Sequence, residues 1–238
     1  MSAFIYGLFL QWKQDLRNKE IMLTYYLVPL VFFGFMGGIF TSINPTAKET
    51  LVQSMTVFGI TMGAILGTPT QLVSLYGSEI KKSYIVGKVP LWTGAVNNCL
   101  SALCHLFIMS MIILLIAPLA FNATLPKNIF IYIFNLLVFI MTTLVIGSAL
   151  GLFVKSNSKL TMVSQLIFLP SVMLSGVMFP KELLPDILRE VGKVLPATWG
   201  FQNICANKLN LSNLLPLILI FTFAIFLILY KLKRINGE

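Results

Sequence analysis

Long apolar runs separated by short polar connections repeat along this chain. Six runs reach the length that a bilayer demands: 21–40, 52–75, 96–119, 129–153, 161–179 and 214–230. A hydrocarbon core of about 30 Å takes roughly 20 helical residues. Within the runs, apolar and polar residues do not alternate, which predicts helices rather than the strands of a barrel. The run over 52–75 is the least hydrophobic, holding Gln53, Thr56, Thr61, Thr68, Thr70 and Gln71. Gly59, Gly63 and Gly67, spaced by four, argue for it as a span, because they form a groove for close helix packing.

Residues 1–20 carry another pattern. Phe4, Ile5, Leu8, Phe9, Trp12 and Leu16 recur at helical spacing, Gln11, Gln14, Asp15 and Asn18 fall off that face, and Lys13, Arg17 and Lys19 flank it. This predicts an amphipathic helix lying in the membrane surface. A secretory signal would place its charges first and close on a small-residue cleavage site, and here the apolar part comes first.

Composition narrows the class. The chain has 238 residues, 57% hydrophobic and 11% charged, with mean hydropathy +0.89. Soluble domains carry about 25% charged residues, so a soluble enzyme is excluded. One His, three Cys and eight acidic residues also leave little material for metal or acid–base chemistry. The expected architecture is an all-α integral membrane protein of six transmembrane helices.

Cations orient it. With the N-terminus inside, the cytoplasmic parts hold Lys13, Arg17, Lys19, Lys81, Lys82, Lys88, Lys155, Lys159, Lys231, Lys233 and Arg234. The external parts hold Lys48, Lys127, Lys181, Arg189, Lys193 and Lys208, four of them in one long connection. Both termini are therefore expected in the cytoplasm. The net charge of +9 reads as topology markers beside anionic headgroups, with no basic stripe suited to nucleic acid.

The chemistry-bearing residues are few. Cys99 and Cys104 sit five apart, off a common helix face, and Cys205 lies in an external connection, so small apolar fillers are expected and no metal site. His105 is the one imidazole, inside a span, where ionisable groups are functional candidates. No membrane carboxylate offers to pair with it, which favours a neutral imidazole bonded to a neighbouring helix.

No Asp, Glu, Lys or Arg falls inside any of the six runs, and the chain has no Gly-x-x-x-x-Gly-Lys-Ser/Thr loop to cradle a nucleotide. Uphill transport would have to draw its energy from another subunit. The segment 77–90 is built to receive it, mixing Glu79, Lys81 and Lys82 with Ile80, Tyr84, Ile85 and Val86 between Gly77 and Pro90. A second unusual segment, 174–200, follows the fifth run. Pro180 is expected to end that run's helix, Pro185 and Asp186 to open a short amphipathic helix, and Pro196 to stop it. The stretch after Trp199 is apolar enough to dip back into the outer leaflet.

The stretch Leu-Ser-Gly-Val-Met-Phe-Pro followed by Leu-Pro and Leu-Pro-Ala-Thr, over 174–198, resembles the C-terminal motif of ABC-2-type transporter permeases. Ser175, Gly176, Phe179, Pro180, Pro185 and Pro196 carry it, and the layout of surface helix, six crossings and external helical segment is similar as well. The resemblance implies the type V exporter-like permease fold as a single transmembrane domain, a half-transporter in a bacterial plasma membrane. A second permease, identical or related, would complete the pathway. Two ABC ATPase subunits would bind from the cytoplasm and hold ATP and Mg²⁺, leaving this chain no cofactor and no catalysis of its own. Glu79, Ile80, Lys81, Lys82, Ser83 and Tyr84 would form the coupling helix.

The dimer seam is expected at the first, second and fifth crossings. Its cavity would place Phe58, Met62, Phe168 and Met173 beside the hydroxyls of Thr61, Ser171 and Ser175. Such a lining suits amphipathic or lipophilic cargo, such as a peptide toxin, an antimicrobial peptide or a drug. Two other readings compete. A stand-alone carrier or channel would depend on His105. An intramembrane protease would need a serine nucleophile in a Gly-x-Ser setting, which neither Ser148 nor Ser175 provides.

Overall fold

The computed structural model describes residues 3–43, 45–77, 84, 86, 87 and 89–237. Among them every regular element is helical and none is a strand. We name the helices α1 (Ala3–Arg17), α2 (Lys19–Ile43), α3 (Leu51–Tyr76), α4 (Leu91–Phe121), α5 (Ile129–Phe153), α6 (Asn157–Met173), α7 (Asp186–Gly192), α8 (Pro196–Cys205) and α9 (Leu211–Gly237). Helices α2, α3, α4, α5 and α9 are long and apolar enough to cross a membrane. At 17 residues α6 spans about 25 Å, short of the usual core.

Local chemistry sets the helix ends. Asn18 opens α2 by accepting from the Glu20 amide at 3.0 Å, and Asn128 opens α5 by accepting from Ile131 at 3.2 Å. Asn122, at φ 52°, closes α4 in the left-handed conformation that asparagine tolerates. Helix α6 stops six residues before the end of its apolar run, and Pro180 is not what stops it. Ser175 donates to the Val172 carbonyl at 2.9 Å and accepts from the Val177 amide at 3.3 Å, while Gly176 turns the chain at φ 92°. A side chain at Gly176 would be strained by that backbone and would press on Lys181, 3.1 Å away.

Helix α3 is the centre of the bundle. Of its apolar window 89% is buried, against 17% for α2 and for α9. Its glycines make this possible. A Cβ at Gly59 would lie 2.6 Å from Met109 of α4, one at Gly63 would strike Leu106 of α4, and one at Gly67 would lie 2.6 Å from Tyr25 of α2. On the opposite side, glycines of α5 let that helix reach the α3 backbone. A Cβ at Gly147 would meet the Ala64 carbonyl oxygen, and one at Gly151 would lie 2.7 Å from that of Pro69. Three helices, α2, α4 and α5, therefore approach α3 through glycine on one partner or the other.

In the segment after α6, α8 packs inward while α7 stays mostly exposed. Pro185 directly precedes α7, as its locked φ favours. That helix ends at Gly192, and Pro196 occupies the first turn of α8 instead of stopping α7. Thr198 donates to the Gly192 carbonyl and Trp199 to that of Lys193, which folds α8 back over α7's end. Gly200 of α8 sits against the Phe139 ring of α5, and Asn135 of α5 donates to the Asn203 carbonyl at 2.7 Å. Cys99, Cys104 and Cys205 are all free and half-buried. Burial pushes the Cys205 thiol up to about 12, with Lys181 nearby acting in the opposite direction.

Two outcomes follow. Gly147→Ala drives a methyl into a carbonyl that cannot move without α3, so it should cost about 1–3 kcal/mol and lower the thermal midpoint in detergent by roughly 2–10 °C. Gly34→Ala, which meets nothing within 4 Å, should leave the midpoint unmoved. In a chain with Cys99 and Cys104 replaced by Ala, maleimide labelling of Cys205 at pH 8 should run about a hundredfold or more below an ordinary thiol. It should climb about tenfold per unit of pH, since only the thiolate reacts.

Candidate functional site

The residues expected to line a substrate path lie where α2, α3 and α6 meet. Phe58 stacks on Phe32 with centroids 3.9 Å apart and meets the Phe168 ring edge-on at 5.8 Å. Phe58, Thr61, Phe168, Ser171 and Ser175 are buried within the single chain, Met62 is half-buried, and Met173 is exposed. Thr61 spends its hydroxyl on the Val57 carbonyl at 2.7 Å. The Ser171 hydroxyl, fully buried, has no partner among the described residues. Outside this aromatic layer α6 presents Met162, Leu166, Leu169 and Met173 as an exposed apolar face.

Of the expected coupling residues, Glu79, Ile80, Lys81, Lys82 and Ser83 lie outside the described residues. Tyr84 is half-buried, with its hydroxyl 3.5 Å from where a Cβ on Gly94 would stand. The six motif positions gather in the turn after α6 and at the starts of the short elements that follow. Ser175 and Gly176 form the turn, Phe179 is exposed, and Pro180, Pro185 and Pro196 introduce the 3₁₀ turn at Lys181–Leu183, α7 and α8 respectively.

The structure also assembles a group that sequence reasoning placed apart. A helix lying flat in a membrane surface would turn its polar side to water. In α1, Phe4, Ile5, Tyr6, Phe9, Leu10 and Leu16 are exposed, as are Lys13, Gln14 and Arg17, whereas Asp15 is 1% exposed. Gln11 and Asp15 are seated against α3 and α4. Ser101 of α4 donates to Asp15 Oδ2 at 2.5 Å, and Gln11 donates to Asp15 Oδ1 at 2.8 Å and to Gln71 of α3 at 3.1 Å. His105 Nε2 stands 3.9 Å from Asp15 Oδ2. No span supplies a carboxylate to His105, as expected, but α1 brings one to it from outside the spans. The expected bond to a neighbouring helix is present, from Tyr26 of α2 to His105 Nδ1 at 2.8 Å.

Backbone irregularity supports this cluster. Both α2 and α3 carry a π-helical turn, at Leu23–Leu27 and Gly63–Gly67, and the two turns touch. Such turns add a residue to the helix and are frequent at functional sites. Tyr25, from the turn in α2, meets Thr68 of α3 at 3.1 Å, and the next residue, Tyr26, meets His105. Trp12 and Tyr25 lie against the imidazole with centroids at 4.9 and 5.8 Å. Asp15 also borders a polar cavity of about 450 Å³, whose walls include Gln11, Gln14, Asn18, Glu20, Gln71 and Asn98. Burial holds the Asp15 carboxyl above the usual carboxylate range, opposed by the bonds from Ser101 and Gln11. Among the described residues no group of three or more His, Cys, Asp or Glu could hold a metal ion.

A search of curated proteins finds no match to this chain. The family model of the ABC-2 type transporter matches residues 4–209, from the first turn of α1 through the segment that follows α8. That span takes in the buried centre, the motif turn and four of the five long apolar helices. The chain is a multi-pass membrane protein that belongs to the ABC-2 type transporter family.

Proposed function

We propose that this chain is the membrane-spanning half of an ATP-driven exporter, moving amphipathic or lipophilic cargo across a bacterial plasma membrane through a pathway shared by two permease subunits. The family match carries the energetic part of this reading, because an ABC-2 permease works with an ABC ATPase. The sequence holds no Gly-x-x-x-x-Gly-Lys-Ser/Thr loop.

In this reading α6 serves as the fifth of six crossings, shortened by the turn at Ser175 and Gly176, and α8 dips into the outer leaflet. Both termini face the cytoplasm, where segment 79–84 enters a groove of the ATPase. The aromatic layer of Phe32, Phe58 and Phe168 lies behind the exposed face of α6, so a second permease docked on that face would cover Met173, with half-buried Met62 and the aromatic layer behind it. A wall of methionine and phenylalanine with few hydroxyls accommodates varied apolar shapes and offers little to a sugar or small ion. ATP binding would bias the two arrangements of this seam by several kcal/mol.

The chain reconstituted alone in vesicles should move no solute uphill, and ATP-dependent accumulation of a lipophilic dye should appear when its ATPase is added. Sustained uphill transport by the chain alone would refute the reading. Phe168→Ala with Met173→Ala should lower ATP-driven transport about tenfold. Met173→Ala by itself, at an exposed position, separates this effect from the stability lost when a buried Phe is truncated. Undiminished transport in the double variant would remove these residues from the path.

A further inference from the structure

The Asp15–His105 cluster is not used by the pathway described above. Its geometry says what it can bind. The carboxylate is 1% exposed, and its two oxygens accept from Gln11 and Ser101. The imidazole is fully buried, with Nδ1 against the Tyr26 hydroxyl and Nε2 facing Asp15 without a hydrogen-bond partner among the described residues. When the phenol donates to Nδ1, the ring proton of neutral His105 sits on Nε2 and points at the carboxylate. A gap of 3.9 Å is longer than a hydrogen bond and short enough for strong coupling between charges.

The surroundings leave the charge of this pair to protons. From α2 the pair is faced by Tyr25 and Tyr26, with Glu20 at the cavity wall, and Cys99 and Cys104 of α4 lie near those two tyrosines. Helix α3 contributes Thr68 and Gln71, which do not titrate. Among the described residues that line the cavity none is Lys or Arg. Without a proton the pair carries one negative charge. One proton makes it neutral overall, as an ion pair or as acid beside imidazole, and a second makes it positive. Asn98, 2% exposed, lines the same cavity, and its Oδ1 has no hydrogen-bond partner among the described residues.

We propose that Asp15 and His105 form a proton-binding site, reached through the polar cavity, in which the proton decides how tightly α1 is held to α4. The ion pair draws α1 onto α4 through the carboxylate. Loss or gain of a proton at the pair weakens that attraction, and the bond to Tyr26 passes the change to α2.

Because His105 is the only histidine, ¹⁵N-histidine labelling of the full chain in lipid bilayers reports this site alone. The wild-type ring should show the Nε2–H tautomer at pH 8 and take up a proton on acidification. An anion beside an imidazole favours its charged form, so Asp15→Asn should lower the midpoint by about one pH unit or more. Asp15→Glu, which keeps the carboxylate, should retain a midpoint near that of the wild type. A wild-type ring that stays neutral down to about pH 4, or Asp15→Asn and wild-type midpoints that coincide, overturns the proposal. The wild-type titration needs no variant to fold, and the readout is independent of transport.

Discussion

The bundle depends on how closely its neighbours can approach α3. In lipid there is no hydrophobic force between helices, because the tails are as apolar as leucine, and association rests on contact and on hydrogen bonds. Contact at backbone range requires glycine on at least one side. Gly59, Gly63 and Gly67 provide it toward α2 and α4, and Gly147 and Gly151 provide it from α5. This spares α3 from meeting lipid and lets it carry Gln53, Thr56, Thr61 and Thr68 in buried positions. The same arrangement brings the π-turns of α2 and α3 into register, and so brings Tyr25 and Tyr26 to the places where Thr68 and His105 await them.

The second constraint is polar. A buried hydroxyl, amide or carboxylate in a low-dielectric interior is costly unless it is bonded. Helix α4 carries Asn97, Asn98, Ser101 and His105 along one side at helical spacing, and it cannot turn that stripe to lipid without loss. Helix α1 has the complementary need, with Gln11, Gln14, Asp15 and Asn18 on one face and an apolar stripe opposite. Joining the two faces satisfies Asp15 through Ser101 and Gln11, and leaves the apolar stripe of α1 outermost, where a membrane protein can expose it. The orientation of α1 is therefore a consequence of α4's composition.

Much of this was legible in the residues and some was not. Apolar run length marks 129–153, the residues that α5 occupies, and the glycine spacing in 52–75 points to the helix at the centre. The motif around Ser175 and Gly176 carries the family. Pairing between helices is less legible. The amphipathic pattern of α1 is the same for a helix on water and for one seated on a polar stripe, and only the matching stripe in α4 separates the two. Similarly, the apolar run 161–179 gives no sign that a turn interrupts it, because the turn is made by Ser175's local hydrogen bonds and by Gly176's backbone rather than by any break in hydropathy.

These two constraints meet at one place. Close packing around α3 is rigid, since glycine-mediated contacts leave no slack and a methyl at Gly147 already collides with a backbone oxygen. The polar contacts of α1 are of another kind, because bonds from Gln11 and Ser101 to a carboxylate change in strength with its protonation, whereas methylene contacts do not. A membrane subunit driven by an ATPase must keep some contacts fixed while others yield. Here the fixed ones gather along the glycine faces of α3, and those sensitive to charge gather where α1 meets α4, beside the π-turns. The division follows from residue chemistry alone: glycine confers proximity without choice of state, and the Asp–His pair confers a choice of state without proximity.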